Sequence, residues 1–328
     1  LYGFDDDTLR LASASHHAGD HASLMRVDLL LEAGGTWKAC EINADCPGGH
    51  NETIALPRLA RVAGFGRGRD PTRVMDRLAA RLEELAGGGA IGLVYATGYA
   101  EDLQVCAFVK RALESRGLPV VLSPPTAPAW DGTDLCIRGQ PVRVLYRYFP
   151  IEWMSGQRNI EGIARAVETG RVRTLTSFAH VFTQSKLALA RCWESTVAGV
   201  EVRAFLPETH AILDVPRDAV ARDRRSWVVK RAMGRVGEEV FVGALFDDEA
   251  EWDALVDEVR ALAAGGEAWI AQRFVDQQRL ATPFGSRYLT LGAYVLDGVF
   301  AGYFARVTPE SHASHDALCV PVFVGGES

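Results

Sequence analysis

The sequence predicts a mixed α/β (α+β) chain in which a small parallel, Rossmann-like unit interrupts a largely antiparallel fold. Three observations carry that expectation. A strand at residues 90–95, a helix at 101–116 closed by Gly117 and a strand at 118–122 follow the order of a right-handed βαβ crossover. Near the start, apolar runs at 24–31 and 37–45 flank Gly34-Gly35, and near the end runs at 289–296 and 299–305 flank Asp297-Gly298. Both are β-hairpin patterns, and Asp-Gly is among the strongest short turn signals.

The first hairpin brings chemistry with it. With Gly34 and Gly35 as the turn, Ala33 faces Thr36, Asp28 faces Glu41 and Arg26 faces Asn43. Strand alternation puts the side chains of Arg26, Asp28, Glu41 and Asn43 on one side. Two neighbouring carboxylates repel unless a cation sits between them or one keeps its proton. With an asparagine carbonyl added they form an oxygen set that suits Mg2+, an ion that keeps substrate phosphates as further ligands. The alternative is the wet face of an exposed hairpin, normal for antiparallel pairs. Apolar flanks and the following turn, Cys46-Pro47-Gly48-Gly49-His50-Asn51-Glu52, weigh against it. By the same alternation Cys40 points away from Glu41 and Asn43 and packs beneath the hairpin.

The later elements follow in order. Val74, Leu78, Leu82 and Leu85 make one stripe of a helix at 72–86, stopped by Gly87-Gly88-Gly89. Gly64-Phe65-Gly66-Arg67-Gly68 follows no strand and reads as a flexible connection. Ala96-Thr97-Gly98-Tyr99, after the first strand of the βαβ unit, lacks the glycine-rich phosphate loop, so no dinucleotide site is expected there. Lys186 opens a helix at 183–189. Strands at 226–230, 240–242 and 268–274, with a helix from Asp247 or Asp248 to Gly265-Gly266, read as an antiparallel α+β lobe. Lys230 ends the first of these strands and leads into a loop holding Gly234 and Gly237. Glycines allow close backbone approach, successive amides form an anion-binding nest, and a lysine beside them reaches phosphate as a point charge. Alone, each lysine is a solvated surface residue and each glycine a turn; the combination with a remote carboxylate hairpin is what points to phosphate chemistry.

Composition narrows the function classes. The 328 residues are 48% hydrophobic and 23% charged, an ordinary globular balance with length for one large or two to three medium domains. A net charge of −7 argues against nucleic acid as a partner. Six scattered cysteines, with no C-x-x-C pair, read as reduced thiols, and no apolar stretch approaches the ~18 residues of a membrane span. The expectation is a cytoplasmic protein without a membrane or nucleic-acid partner. The chain does not begin with Met, which leaves room for a preceding segment.

The order of these parts resembles a known family. Arg-x-Asp, a short hairpin, Glu-x-Asn-x-Asp-x-Pro, a later Ser-Lys helix, then Val-Val-Lys followed by Gly-Arg-x-Gly is similar to the glutathionylspermidine synthase-type branch of the ATP-grasp ligases, in which the metal-binding strands precede the lysine-bearing lobe. Tyr146-Arg147 and the stretch from Gly292 to Arg306 also resemble it. The resemblance implies a circularly permuted ATP-grasp fold with a Rossmann-like preATP-grasp subdomain. Its parts would be residues 1–70 as the metal-binding part of the core, 71–155 as that subdomain, and 156–328 as the ATP-grasp lobe with its phosphate lid. It implies that Asp28, Glu41 and Asn43 hold one or two Mg2+ ions on ATP, that Lys186 and Lys230 grip the α- and β-phosphates, and that the Gly234–Gly237 loop covers them. Gln272 resembles the position that faces adenine. Arg26 would stabilise the transferred phosphoryl group or the acyl intermediate, and Arg306 the γ-phosphate. The chain departs from the pattern at Pro47-Gly48-Gly49, where related sequences are more polar, and at the two acids of its lid, and it has no cysteine-amidase part.

The activity so implied is ATP-dependent joining of a small carboxylate, an amino acid or peptide, to an amine, in a monomer or homodimer. A silent ATP-binding module is the alternative, set against a complete metal set. His17 and His21, four apart as on one helical turn, with His16 beside them and His50, His312 and His315 elsewhere, raise a metal-dependent hydrolase. They lack the adjacent glutamate of zinc hydrolases. Cys46 has no identifiable base for a Cys-His enzyme. Glu101, Asp102 and Glu152 are acids able to attract a cationic amine near a pocket formed by the loops around 46–53, 97–104 and 146–160.

Overall fold

The computed structural model describes residues 2–195, 200–234, 239–311 and 316–325. The chain runs through α1 (Asp6–His17), the hairpin β1 (Leu24–Leu31) and β2 (Trp37–Asn43), α2 (His50–Val62) and α3 (Val74–Ala86). A βαβ unit follows: β3 (Ala90–Tyr95), α4 (Ala100–Glu114) and β4 (Val120–Ser123). Next come the short strands β5 (Ala129–Trp130) and β6 (Leu135–Ile137), β7 (Gln140–Tyr148), α5 (Ile160–Glu168), β8 (Arg173–Leu175), α6 (Val181–Gln184), α7 (Leu187–Glu194) and α8 (Val200–Phe205). The last third holds β9 (Thr209–Ala211), α9 (Arg217–Arg222), β10 (Trp227–Arg231), β11 (Val240–Val242), α10 (Glu249–Ala264), β12 (Trp269–Arg273), β13 (Arg279–Thr282), β14 (Gly285–Leu296), β15 (Val299–Thr308) and β16 (Leu318–Val320).

Three sheets result. The central one is antiparallel, ordered β16-β15-β14-β1-β2 with β13 on β14, and joins the amino-terminal hairpin to the carboxy-terminal one. The second has a parallel core β4-β3-β7-β8 extended by the β6-β5 hairpin. The third is antiparallel, β11-β10-β12-β9. The predicted βαβ crossover is there, with Gly87 at φ +52 and Gly117 at φ +79 ending the helices before each strand. Asp297 and Gly298 both take positive φ, 45° and 80°, the geometry a two-residue hairpin turn needs. Several readings fall short, among them the single helix at 183–189, which is broken at Ser185 between α6 and α7. The 46–52 segment is not all turn, because α2 starts at His50. His17 and His21 do not share a helical turn: α1 ends at His17, and Gly19 at φ +63 redirects the chain.

The hairpin register is the detail that builds the site. Arg26 pairs with Asn43 and Asp28 with Glu41, as the turn position predicted. The route differs. The turn is Ala33–Gly35, with the Glu32 amide donating to the Thr36 carbonyl at 2.8 Å, and β2 then carries one extra residue, so that Leu29 pairs with Ala39. Cys40 is that bulged residue. It therefore lines the cleft instead of packing beneath the hairpin, and its thiol donates to the Asp28 carbonyl at 3.3 Å. The other hairpin face is apolar: Val27, Leu29, Ala39 and Ile42 pack on Leu189, Trp193 and Leu206. That packing fixes which face is free for chemistry, since a one-residue slip would exchange the two.

Candidate active site

The central sheet presents its functional side chains in rows. Glu41, Asp28, Gly292 and Phe304 lie abreast on β2, β1, β14 and β15; Asn43, Arg26 and Tyr294 form the next row, and Leu30, Thr290 and Arg306 the one on the other side. Gly292 is required here. A Cβ at that position would lie 2.6 Å from the Arg26 stem, which crosses the sheet over the gap.

Asp28 is buried and is the shared anion of the site. Its Oδ1 accepts from Arg26 Nε at 2.6 Å; its Oδ2 accepts from Arg26 Nη2 at 2.9 Å, Arg306 Nη2 at 2.9 Å and, more weakly, Asn43 Nδ2 at 3.4 Å. Arg26 Nη1 also donates to the Gly48 carbonyl at 2.7 Å, and the Tyr294 hydroxyl donates to the same oxygen. Glu41 stands 3.0 Å from Lys186 Nζ. Burial pushes the Glu41 carboxyl up, but Lys186, Lys230 and Arg26 outweigh it and hold it below its ordinary range.

The two lysines come from different elements. Lys186 precedes α7; its amide donates to the Ala232 carbonyl at 2.9 Å and its Nζ to the Gly234 carbonyl at 2.8 Å, so with its contact to Glu41 it touches both the β1–β2 hairpin and the segment that follows β10. Lys230 lies on β10 and donates to Gln272 Oε1 at 2.7 Å, while Gln272 Nε2 donates to Thr209 Oγ1 at 3.0 Å. Burial depresses the Lys230 ammonium, an effect that Cys40 and Glu41 oppose. Gly237 lies outside the described residues.

These groups surround one cleft of about 420 Å3. One end carries the apolar Leu30, Val228, Val242, Phe274 and Val275, with Arg273 and Gln277 also in the lining; the middle holds Arg26, Asp28, Glu41, Asn43, Lys186, Lys230, Gln272 and Arg306. The other end is an arm formed by Cys46, Gly48, Gly49, Asp102, Tyr148, Pro150 and Trp153. Burial and the neighbouring Glu101 push Asp102 up to about 6. Two residues absent from the sequence reading support this arm. Gln184 Oε1 accepts both the Ala44 and Asp45 amides, at 2.8 and 2.9 Å, and Phe304 packs against Gly49, where a Cβ would meet its ring at 2.7 Å. Gly49 also has φ +93, so two independent constraints select glycine. Neither position has a one-dimensional signal, because both depend on strands more than a hundred residues away.

Asn43, Asp28 and Glu41 are the only acid-amide trio the sequence singled out, and among the described residues no cluster of three or more His, Cys, Asp or Glu could hold a metal unaided. His16 and His21 face each other at 6.3 Å between ring centroids without a third ligand.

Comparisons with known proteins agree on the type of molecule. No curated protein matches the chain in sequence. A glutathione synthetase-like effector from Globodera pallida, in its apo form, superposes with a TM-score of 0.64 at 12% identity, covering 97% of this chain and 80% of that one. A putative gamma-glutamylcysteine synthetase from Methylobacillus flagellatus gives 0.51 at 14% identity, covering 95% and 83%. At such identities the likeness concerns the fold, which is of the ATP-grasp type. The glutathionylspermidine synthase preATP-grasp family matches residues 2–324, so the chain belongs to that family and is an ATP-dependent carbon–nitrogen ligase.

Proposed function

We propose that the protein activates a small carboxylate with ATP and passes the acyl group to an amine, releasing ADP and phosphate. The observation that carries this reading is the charge of the central cleft. Among the described residues, the carboxylates in contact with Arg26, Arg306 and Lys186 are Asp28 and Glu41, with Lys230 close by, an excess of cation deep in a part-buried site, as a polyphosphate requires. The adenine belongs in the adjoining apolar slot, with Gln272 at the boundary between base and phosphates. Lys186 and Lys230 then face the phosphates, and Gly234 begins the segment that would cover them.

The donor set fits Mg2+. Two carboxylates and one amide oxygen on neighbouring strands are hard ligands, too few for a closed protein cage and sufficient for an ion shared with nucleotide phosphates. Asp28, Glu41 and Asn43 would hold one or two such ions, which supply charge neutralisation on the transferred phosphoryl group.

In the first step a carboxylate oxygen attacks the γ-phosphorus, the β–γ bridging bond breaks and ADP leaves. In the second an amine attacks the acyl carbon, the bond to phosphate breaks and inorganic phosphate departs with the electron pair. Arg26 and Arg306, both anchored by Asp28, are the catalytic cations for these two charge developments. The arm holding Asp102 receives the amine, whose proton has a carboxylate acceptor within the cleft. On this reading residues 1–70 supply the metal-binding part of the core, 71–155 the preATP-grasp subdomain and 156–328 the nucleotide lobe. The carboxylate and amine are small molecules, amino acids or peptides.

Hydroxamate formation tests this reading. Mg-ATP and hydroxylamine are incubated with a panel of amino acids, short peptides and glutathione, and ADP is followed in parallel. A hydroxamate with matching ADP supports acyl-phosphate chemistry and names the carboxylate. ATP binding without any product across the panel, even when candidate amines are added first, would favour a silent nucleotide-binding module.

A further inference from the structure

Residues 58–77 depart from the rest of this acidic chain. They contain six arginines, Arg58, Arg61, Arg67, Arg69, Arg73 and Arg77, against two aspartates, whereas the whole chain carries −7. All six arginines are exposed, and none makes an ion pair among the described residues; Arg81, one turn further, pairs with both Glu84 and Asp297. The guanidinium hydrogen bonds that do form are to backbone carbonyls, Arg61 to Gly68 at 3.0 Å and Arg73 to Thr72 at 2.6 Å, and Arg61 also lies over the Phe323 ring at 5.5 Å. Asp70 is turned to the Thr72 amide at 2.9 Å.

Apolar side chains interleave with this charge. Leu59, Val62 and Phe65, at a three-residue spacing along the end of α2 and its connector, are 61%, 89% and 82% exposed. The facing side of α2 is spent on Ile54 and Pro57, which are buried, so the exposed trio belongs to no core of this chain. The glycines at 64, 66 and 68 leave Phe65 projecting from the connector.

We propose that this patch docks the protein on the anionic surface of a phospholipid bilayer. The charge is complementary to lipid phosphate, arginine binds phosphate through a planar fork, and long arginine stems let the aliphatic and aromatic side chains enter the interface while the heads stay with the phosphates. A second copy of the same patch is a poor occupant, since it would set arginines against arginines. Nucleic acid matches the charge but gives Leu59 and Val62 nothing to enter. No helix among the described residues is long and apolar enough to cross a membrane, which makes the attachment peripheral. Net charge summed over the chain conceals this surface. The patch sits at the far end of α2, whose first turn borders the cleft at Gly49; thirteen residues of helix, about 20 Å, separate the two.

Vesicle flotation tests the proposal with the whole chain. Binding is expected to phosphatidylcholine vesicles containing phosphatidylglycerol and not to phosphatidylcholine alone, and to weaken as salt rises. Each basic residue at an anionic surface contributes a factor of about five in partition, so Arg58→Glu with Arg61→Glu and Arg67→Glu lowers binding by at least about a hundredfold. The exposed-residue variant Leu59→Ser/Val62→Ser/Phe65→Ser lowers it by roughly tenfold with all arginines retained. Both variants keep the parent melting temperature and hydroxamate activity. No binding to the anionic vesicles at low salt overturns the proposal. So does binding insensitive to the apolar variant, or an RNA that displaces the vesicles at equal phosphate, either of which reassigns the patch to a nucleic acid.

Discussion

Mg2+ alone should bind this protein poorly, and the distances say by how much. A metal at Asp28 and Glu41 must take Asp28 from three guanidinium contacts of 2.6–2.9 Å and Glu41 from Lys186 at 3.0 Å. Each charge-assisted contact is worth about 1.5–3 kcal/mol, so roughly 6–12 kcal/mol of gross interaction is surrendered before the ion is ligated. The ion also enters beside four cations balanced by two carboxylates. Nucleotide reverses both terms, because its phosphates give Arg26, Arg306, Lys186 and Lys230 new partners and release the carboxylates. The assay is thermal unfolding with millimolar Mg2+, with a non-hydrolysable ATP analogue, and with both. Saturation at about a hundred times Kd stabilises by about 2.7 kcal/mol, several degrees in the midpoint. The expectation is a shift below about 1 °C for Mg2+ alone, a moderate one for the analogue and the full shift for the pair. Lys186→Met frees Glu41 and should make the effect of Mg2+ alone measurable. A metal-only shift as large as that of the pair in the parent protein refutes the argument.

The remaining predictions concern single residues. Glu41→Gln and Lys230→Met should each lower kcat/KM by about 10²–10³ with unchanged circular dichroism; retention of more than about a tenth of the parent rate counts against the assigned role. Asp102 is raised to about 6 by burial and Glu101, above its ordinary carboxylate value. The folded state therefore holds this proton more tightly than the unfolded one, and stability is lost as pH climbs from the ordinary value through about 6. Asp102→Asn should raise the melting temperature at pH 7 and not at acid pH, while increasing KM for the amine; equal shifts at both pH values would mean the substitution acts through packing.

How much of this was legible depends on sequence separation. The Arg26–Asn43 and Asp28–Glu41 pairs are local, and a Gly-Gly turn with alternating side chains was enough to place them. The bulge at Cys40 was not legible, since a one-residue insertion in β2 and a three-residue turn cancel and leave the same pairs at the site. The joining of β1 to β14 spans more than 260 residues, and nothing local says that Arg306 will reach Asp28. Gly292 did carry a signal, a glycine within an apolar strand run, whose meaning appears only when Arg26 is seen lying across it. The strand holding Gln272 was placed locally, but the contacts of its amide with Lys230 and Thr209 are set by β10 and β9 on either side, which no local pattern specifies.

The aspartate that closes the Glu-x-Asn-x-Asp run does different work from the residues before it. Asp45 is buried, pairs with the Arg147 guanidinium and accepts the Ile151 amide at 2.9 Å. Arg147 lies on β7 of the parallel sheet, in contact with the Phe178 ring, and its neighbours Tyr148, Pro150 and Trp153 line the cleft. Asp45 thus ties the end of the β1–β2 hairpin to the parallel sheet. The pair adds a buried ionic tie to the hydrophobic packing of the two sheets, in which Leu24, Tyr294 and Phe304 share a core with Ile91, Tyr146 and Tyr148. Breaking such a pair leaves an uncompensated buried charge at a cost of about 3–5 kcal/mol, so the site keeps this aspartate for geometry and not for chemistry. That separation explains why one short motif contains both ligand candidates and a strut: residues 41 and 43 face the cleft, and residue 45, just past the last paired residue of β2, faces the neighbouring sheet.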